Sequence, residues 1–282
     1  MSEFMHETNY NHMKVVDKVI LVTGGGNGLG RELVFALLKR GGKVVAVDIN
    51  EAALKETEQM AESYAKSLMT VSADITDITD ELATEELYDR IECRFGAIDG
   101  IINNAGILQP FRKVDNLSLE TITRVFSVNF GGTLNMVKLF LPHLLERPEG
   151  HIVNISSMGG FLPVAGQSIY GASKAAVKIF SEGLCSELSG TNVGVTTVFP
   201  GAMFTSIKAN SGLGADAGAG PEGYSADVAF SPAKAAEMVV KAIEHNKPRL
   251  YIGKDSRSMN LLYRLNPGMA TKMIYKSIKH KM

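Results

Sequence analysis

A tyrosine four residues before a lysine, Tyr170 and Lys174 in SIYGASK, is a pairing that can move a proton. The phenol gives or takes the proton, and the ammonium, one helical turn on and on the same face, favours its ionised form. Spacing alone decides nothing here, because Tyr10…Lys14 and Tyr275…Lys279 repeat it among only eight tyrosines. What sets the middle pair apart is Ser157, thirteen residues before Tyr170 and at the end of the strand-like run HIVNIS. A serine at a strand end and a tyrosine on the next helix can face one bound oxygen, the serine stabilising charge as it develops there. Ser156, one residue off, should point to the opposite face if the strand persists.

These side chains need a scaffold, and from Lys18 onward the chain supplies a regular one. Short β-branched runs (KVILVTG, KVVAVDI, LMTVSAD, IDGIINNAG, HIVNIS, VGVTTVFPG) alternate with amphipathic stretches that predict helices from about Leu29, Glu51 and Thr79, over 119–146, and through Ser173 to Leu188. Alternation of this kind predicts an α/β fold, a Rossmann-type doubly wound parallel sheet with helices on both faces, in three α/β/α layers. The nearly continuous apolar strands fit a sheet covered on both sides.

The first strand runs into TGGGNGLGRELVF, where Gly24, Gly28 and Gly30 let the backbone turn tightly and approach a ligand. With Thr23, Asn27 and Leu29 they form a turn whose following helix offers unpaired N–H groups and partial positive charge to a pyrophosphate. Asp48, twenty residues past Gly28 at the end of the second strand, can accept from ribose hydroxyls or cap the helix that begins NEAAL. A 2′-phosphate there would meet like charge, and neither Ile49 nor Asn27 offers it a cation, so NAD is expected over NADP. Asp74 and Ile75 end the third strand, placed for the adenine, and Asn104, Ala105 and Gly106 end the fourth, where small residues admit a cofactor. All lie at the carboxyl edge of the sheet, where such folds bind ligands.

With TGGGNGLG, NNAG, Asn129, Ser157, Tyr170…Lys174 and Pro200-Gly201 in order and at characteristic intervals, the chain resembles the short-chain dehydrogenase/reductase family in its single-domain form, from about Val16 to Gly253. The resemblance implies an NAD(H)-dependent interconversion of a secondary alcohol and a ketone, with Tyr170 as general acid/base. It also implies that Lys174 holds the nicotinamide ribose, that Asn129 holds a water relaying protons to Lys174, and that Thr205, in the pattern PGxxxT, bonds the carboxamide. Lowering a phenol from about 10 by ~2 to 3 units takes about 3 to 4 kcal/mol, expected from Lys174 and the oxidised nicotinamide together. The same scaffold admits an epimerase or dehydratase, and a non-catalytic NAD sensor is the alternative outside catalysis.

The substrate wall between Ser157 and Tyr170 reads MGGFLPVAGQSI, without a charged residue. Met158, Phe161 and Leu162, with Pro163 and Leu108, therefore predict an apolar substrate, although Arg112 or Lys208 could reach in. The glycine-rich segment near 205–230 reads as a lid. Residues 1–15 read as a flexible arm, 16–253 as the catalytic domain, and 254–282 as a basic amphipathic tail with seven cations against one acid. The tail predicts a helix packed on protein or, less simply, peripheral contact with a membrane. The family further implies a homodimer or homotetramer.

Composition narrows the classes. With 45% apolar residues and a net charge of -1, the chain has no general field for nucleic acid. Cys93 and Cys185 read as reduced core thiols, the histidines are too scattered for a metal site, and no secretory or membrane segment is legible, which predicts a cytoplasmic protein with a small-molecule substrate.

Overall fold

A computed structural model of the chain describes residues 13–75, 81–203, 207, 211, 213 and 230–279. Thr205, Lys208, nearly all of the segment read as a lid, and Tyr10 lie outside the described residues. Seven parallel strands run in the order β3-β2-β1-β4-β5-β6-β7. They are β1 (Val19–Thr23), β2 (Lys43–Asp48), β3 (Leu68–Ser72), β4 (Gly100–Asn103), β5 (Gly150–Ile155), β6 (Val193–Pro200) and β7 (Arg249–Ile252). The chain winds outward from β1 to β3 and then returns to place β4 on the other side of β1. This reversal opens a crevice between the carboxyl ends of β1 and β4.

Each face of the sheet is covered because the helices repeat their apolar residues at helical spacing. On one face α1 (Gly28–Lys39) buries Leu29, Leu33, Val34, Leu37 and Leu38 against α7 (Pro232–Glu244), which buries Ala235, Ala236, Val239, Val240 and Ile243. On the other, Ile91 of α3 (Glu81–Phe95), Phe140 and Leu144 of α5 (Gly132–Leu145) and Leu184 of α6 (Ser168–Glu187) pack over Leu21, Val45, Ile101 and Ile152. A fully buried leucine or isoleucine of this kind stabilises the fold by roughly 1.5–3 kcal/mol. Helix α2 (Glu51–Met60) starts on Asn50, whose side chain accepts from Ala53 N at 3.1 Å.

Four sequence expectations need correction. The helix anticipated over 119–146 is three pieces: α4 (Leu119–Phe126), a π-turn over Ser127–Gly131, and α5. One wider turn hardly alters the hydrophobic period, so the pattern did not reveal it. The arm expected over 1–15 is anchored at its end, for Met13 and Val15 belong to the core at 1% and 0% exposure. Cys93 is exposed and so is not a core thiol, whereas the half-buried Cys185 packs against the core. The tail is a helical hairpin: α8 (Lys254–Leu265) stops at Asn266, which caps α9 (Pro267–Ile278) by accepting from Met269 N at 2.9 Å. Its buried stripe is Ala270 and Ile278, whereas Leu261, Leu265, Met269 and Met273 are exposed. No helix among the described residues is long and apolar enough to cross a membrane.

Candidate active site

A cavity of about 820 Å³ occupies the crevice at the carboxyl edge. Its first wall is the turn between β1 and α1. Gly24 and Gly28 take left-handed backbone angles, φ 67° and 54°, which residues with a Cβ rarely adopt. Gly30 has no space for a side chain, since a Cβ there would overlap the carbonyl oxygen of Gly24. Asn27, at the N-cap of α1, makes no side-chain cap bond, and no acid stands in the first turn. The open helix end thus keeps its capacity to bind an anion.

Asp48 closes that wall. One carboxylate oxygen accepts from Gly26 N and the other from Asn50 N, both at 3.0 Å, so it fastens the glycine turn to the end of β2. Capping α2 is the task of Asn50, not of Asp48. Arg31, a cation that sequence reading passed over, donates to the carbonyl of Gly26 and to Thr57 and pairs with Glu56. It braces the turn from behind, and its position one residue past Gly30 was the available clue. Ile49, Asp74 and Ile75 continue the lining, followed across the crevice by Asn104, Ala105 and Gly106. Thr23 is absent from the wall. It is buried, and its hydroxyl accepts from Asn104 N and Ala105 N at 3.0 and 3.1 Å, joining the ends of β1 and β4.

The opposite wall holds the proton-carrying groups. Ser157, just past β5, has extended backbone; its hydroxyl accepts from Gly159 N at 3.1 Å, and it lines the crevice together with Tyr170. Tyr170 is the third residue of α6 and Lys174 lies one turn later. Lys174 is buried, 4% exposed, and its Nζ donates to the carbonyl of Ile155 at 2.9 Å. Burial pushes its ammonium down to about 8. Ser156 also borders the crevice, because β5 ends at Ile155, and its hydroxyl donates to the Lys174 carbonyl at 2.7 Å.

Burial lifts the Tyr170 phenol above its ordinary value of 10, and the Ser157 hydroxyl only opposes this. The decrease expected from Lys174 is therefore not produced by the surrounding side chains. Desolvation is the largest influence on the phenol, and Ser157, not Lys174, is what opposes it.

Asn129 is fully buried in the π-turn, not on a solvent-facing helix surface. Its side chain accepts from Ile107 N at 2.8 Å and donates to the Ile107 carbonyl at 3.1 Å and to Ser173 Oγ at 2.9 Å. Ser173 in turn donates to the Tyr170 carbonyl. A Cβ at Gly106 would come within 3.1 Å of Lys174 Nζ and 3.2 Å of Asn129 Oδ1, so this glycine leaves room where the two meet.

Most of the residues expected to form the substrate wall do not line the crevice. Leu162 is wholly buried, Phe161 stacks edge-on against Phe199 and Tyr251, and neither they nor Met158 line the cavity. The turn after Ser157 folds back over α6, which sends those side chains away from the crevice. In their place stand Ile107, Leu108, Val128, Met203 and Ile207, beside Pro200 and Gly201. Of these, Leu108 was anticipated, and Ile107 follows NNAG directly. Arg124, also on the lining, was missed although it lies five residues before Asn129; Arg112 belongs to a separate surface recess. Among the described residues no group of histidine, cysteine or acidic side chains is arranged to hold a metal ion.

A doubly wound sheet with a glycine turn at its first strand and a serine, tyrosine and lysine converging on one crevice defines a class of dinucleotide-fold oxidoreductase. The short chain dehydrogenase pattern matches residues 18–215, and the chain belongs to that family. Among relatives, it is 35% identical over 262 residues to "Probable oxidoreductase EphD" of Mycobacterium tuberculosis, covering 89% of this chain but 43% of EphD. The chain therefore spans less than half the length of that relative. SadH of the same bacterium is 33% identical over 253 residues, covering 88% of this chain and 90% of SadH. Among solved structures, a short chain dehydrogenase/reductase from Burkholderia phymatum in complex with NAD superposes with a TM-score of 0.80 at 24% identity, over 91% of this chain and 96% of that one. A serine dehydrogenase complexed with NADP+ gives 0.74 at 30% identity, over 83% and 94%.

Proposed function

We propose that this oxidoreductase uses NAD(H) to interconvert a secondary alcohol and a ketone on a fairly apolar substrate. The observation that carries the reading is that Ser157 and Tyr170 meet on the wall of one crevice, with Lys174 buried one turn behind them. The residues fit a dinucleotide: the turn at Gly30 has space only for backbone, the α1 terminus is open, and Asp48 meets the crevice next to Ile49. A nicotinamide bound there would supply the hydride acceptor or donor.

The chain's own residues perform the rest. Ser157 holds the substrate oxygen by a hydrogen bond. Tyr170 receives the hydroxyl proton on oxidation and returns it on reduction. With its phenol held above the ordinary value by burial, Tyr170 is a proton donor at neutral pH, the form that carbonyl reduction requires. Lys174 and Asn129 keep the phenol in place from behind, the former through Ile155, the latter through Ser173. Ile107, Leu108, Met203 and Ile207 favour an apolar chain over a carboxylate on that side. Asp48 supports NAD over NADP, since a 2′-phosphate beside it meets like charge, and the nearby Arg31 is paired with Glu56. The structural relatives show that the fold itself takes either cofactor.

A panel of apolar ketones and secondary alcohols followed by NADH and NADPH absorbance tests this. The expected result is turnover with NADH well above NADPH. Product formation without any net change in NADH would point to epimerisation instead.

A further inference from the structure

Gln109 sits three residues beyond Gly106, in the loop leaving β4, and is fully buried. Its side-chain oxygen accepts from two backbone N–H groups, Ile169 at 2.8 Å and Tyr170 at 2.9 Å. Its amide nitrogen donates to the Gly166 carbonyl at 2.9 Å, and its own carbonyl accepts from Gln167 Nε2 at 3.0 Å. Helix α6 depends on an outside acceptor because Gln167, at its N-cap, makes no side-chain cap bond. First-turn N–H groups are normally satisfied by a serine, threonine or aspartate at that position. Here the acceptor comes from a residue sixty positions earlier in the chain.

The two residues before Gln109 are tied as firmly. Ile107 exchanges hydrogen bonds with Asn129 in both directions, and Leu108 N donates to Ser211 Oγ at 2.8 Å. Three consecutive residues thus fasten one loop to the π-turn, to the segment after β6, and to the helix that carries Tyr170. We propose that Gln109 is a positioning residue for proton transfer, which caps α6 from the β4 loop and so fixes where the Tyr170 phenol meets Ser157. The proposal rests on the reading of Tyr170 given above. Any tilt of the first turn of α6 is amplified at the far end of the phenol, where reacting atoms tolerate little displacement.

Gln109→Met keeps the volume and removes both polar ends. Its expected effects are an NADH dissociation constant within about twofold of wild type and a kcat lowered about 10- to 100-fold. The pH at which kcat titrates should move upward by about half a unit or more as the phenol is displaced from the Ser157 hydroxyl, which opposes the rise. Gln109→Glu, assayed near pH 6 where burial keeps the new carboxyl protonated, should recover most of the loss, because its oxygen can still accept from both N–H groups. Gln109→Asn, one methylene shorter, carries the same kcat and pH readouts if the methionine variant does not fold.

A purely structural glutamine would give a lower melting temperature with wild-type kcat per folded molecule and an unmoved pH profile, and that result overturns the proposal. Tyr170→Phe is assayed alongside. If it is as active as wild type, the reading of Tyr170 fails; if it is inactive while Gln109→Met and Gln109→Asn behave as wild type, only the positioning role fails.

Discussion

The two ends of the sheet bury polar groups in opposite ways. At the amino end, Asp99 accepts from Val19 N at 2.9 Å and from Arg147 at 2.9 and 3.0 Å, and His151 shares a 2.8 Å bond with Thr196, whose hydroxyl donates to the Lys247 carbonyl. Every one of these contacts is made to another part of the protein, and none of Asp99, Arg147 or His151 lines the cavity. At the carboxyl end, Ser157, Tyr170 and Lys174 also bond within the protein, but they line the crevice as well. The difference separates stability from chemistry. Closed polar networks hold the strands in register, whereas the groups facing the crevice are held in place by neighbours and remain accessible to a ligand.

The sharpest way to break this contrast is Lys174→Met. On the proposed reading activity should fall at least ~1000-fold, because the phenol loses the cation behind it and a bound cofactor would lose a contact. The midpoint of urea unfolding should hold or rise, since burial already disfavours the ammonium, pushed down to about 8. A large loss of stability would mean that the two ends do not differ as described.

His151 tests the other end through pH. Burial pushes it down to about 3, below its ordinary 6.5. The unfolded chain therefore binds a proton that the folded protein excludes, so its contribution is complete above about 6.5 and is lost as pH falls toward 3. Between pH 7 and 5 the loss amounts to about 2 kcal/mol. Urea unfolding of His151→Asn should lack that portion of the pH dependence, with kcat per folded molecule unchanged.

Asp48→Ala is the smallest of the three. It removes the acceptor for Gly26 N and Asn50 N together with the charge that, on the proposed reading, would face the ribose. NADH affinity should fall about tenfold while NADPH affinity rises, readable by fluorescence titration. Unchanged preference would remove Asp48 from cofactor selection.

How far the sequence revealed all this differs by kind of information. Strands such as VILV and KVVAVD were legible because near-continuous β-branched runs can only be buried on both faces, and the observed strands follow them. Residues defined by backbone demands, Gly24, Gly28 and Gly106, stand in the crevice where their spacing suggested. Direction was harder to read. Thr23 sits within the glycine motif yet faces β4, and Met158, Phe161 and Leu162 follow Ser157 yet leave the crevice, because proximity in sequence does not fix where a side chain points after a turn. Gln109 gave no signal at all. Its partners lie some sixty residues away, and its role exists only once α6 has docked against the β4 loop.

The central claim is that Tyr170 carries the proton for a reaction at the crevice. The direct measurement is the Tyr170→Phe variant, assayed for NADH-linked turnover of the best ketone beside a fluorescence titration of NADH binding. The account predicts near-wild-type NADH affinity and activity reduced at least ~1000-fold. Wild-type turnover by a variant that still binds NADH would contradict it.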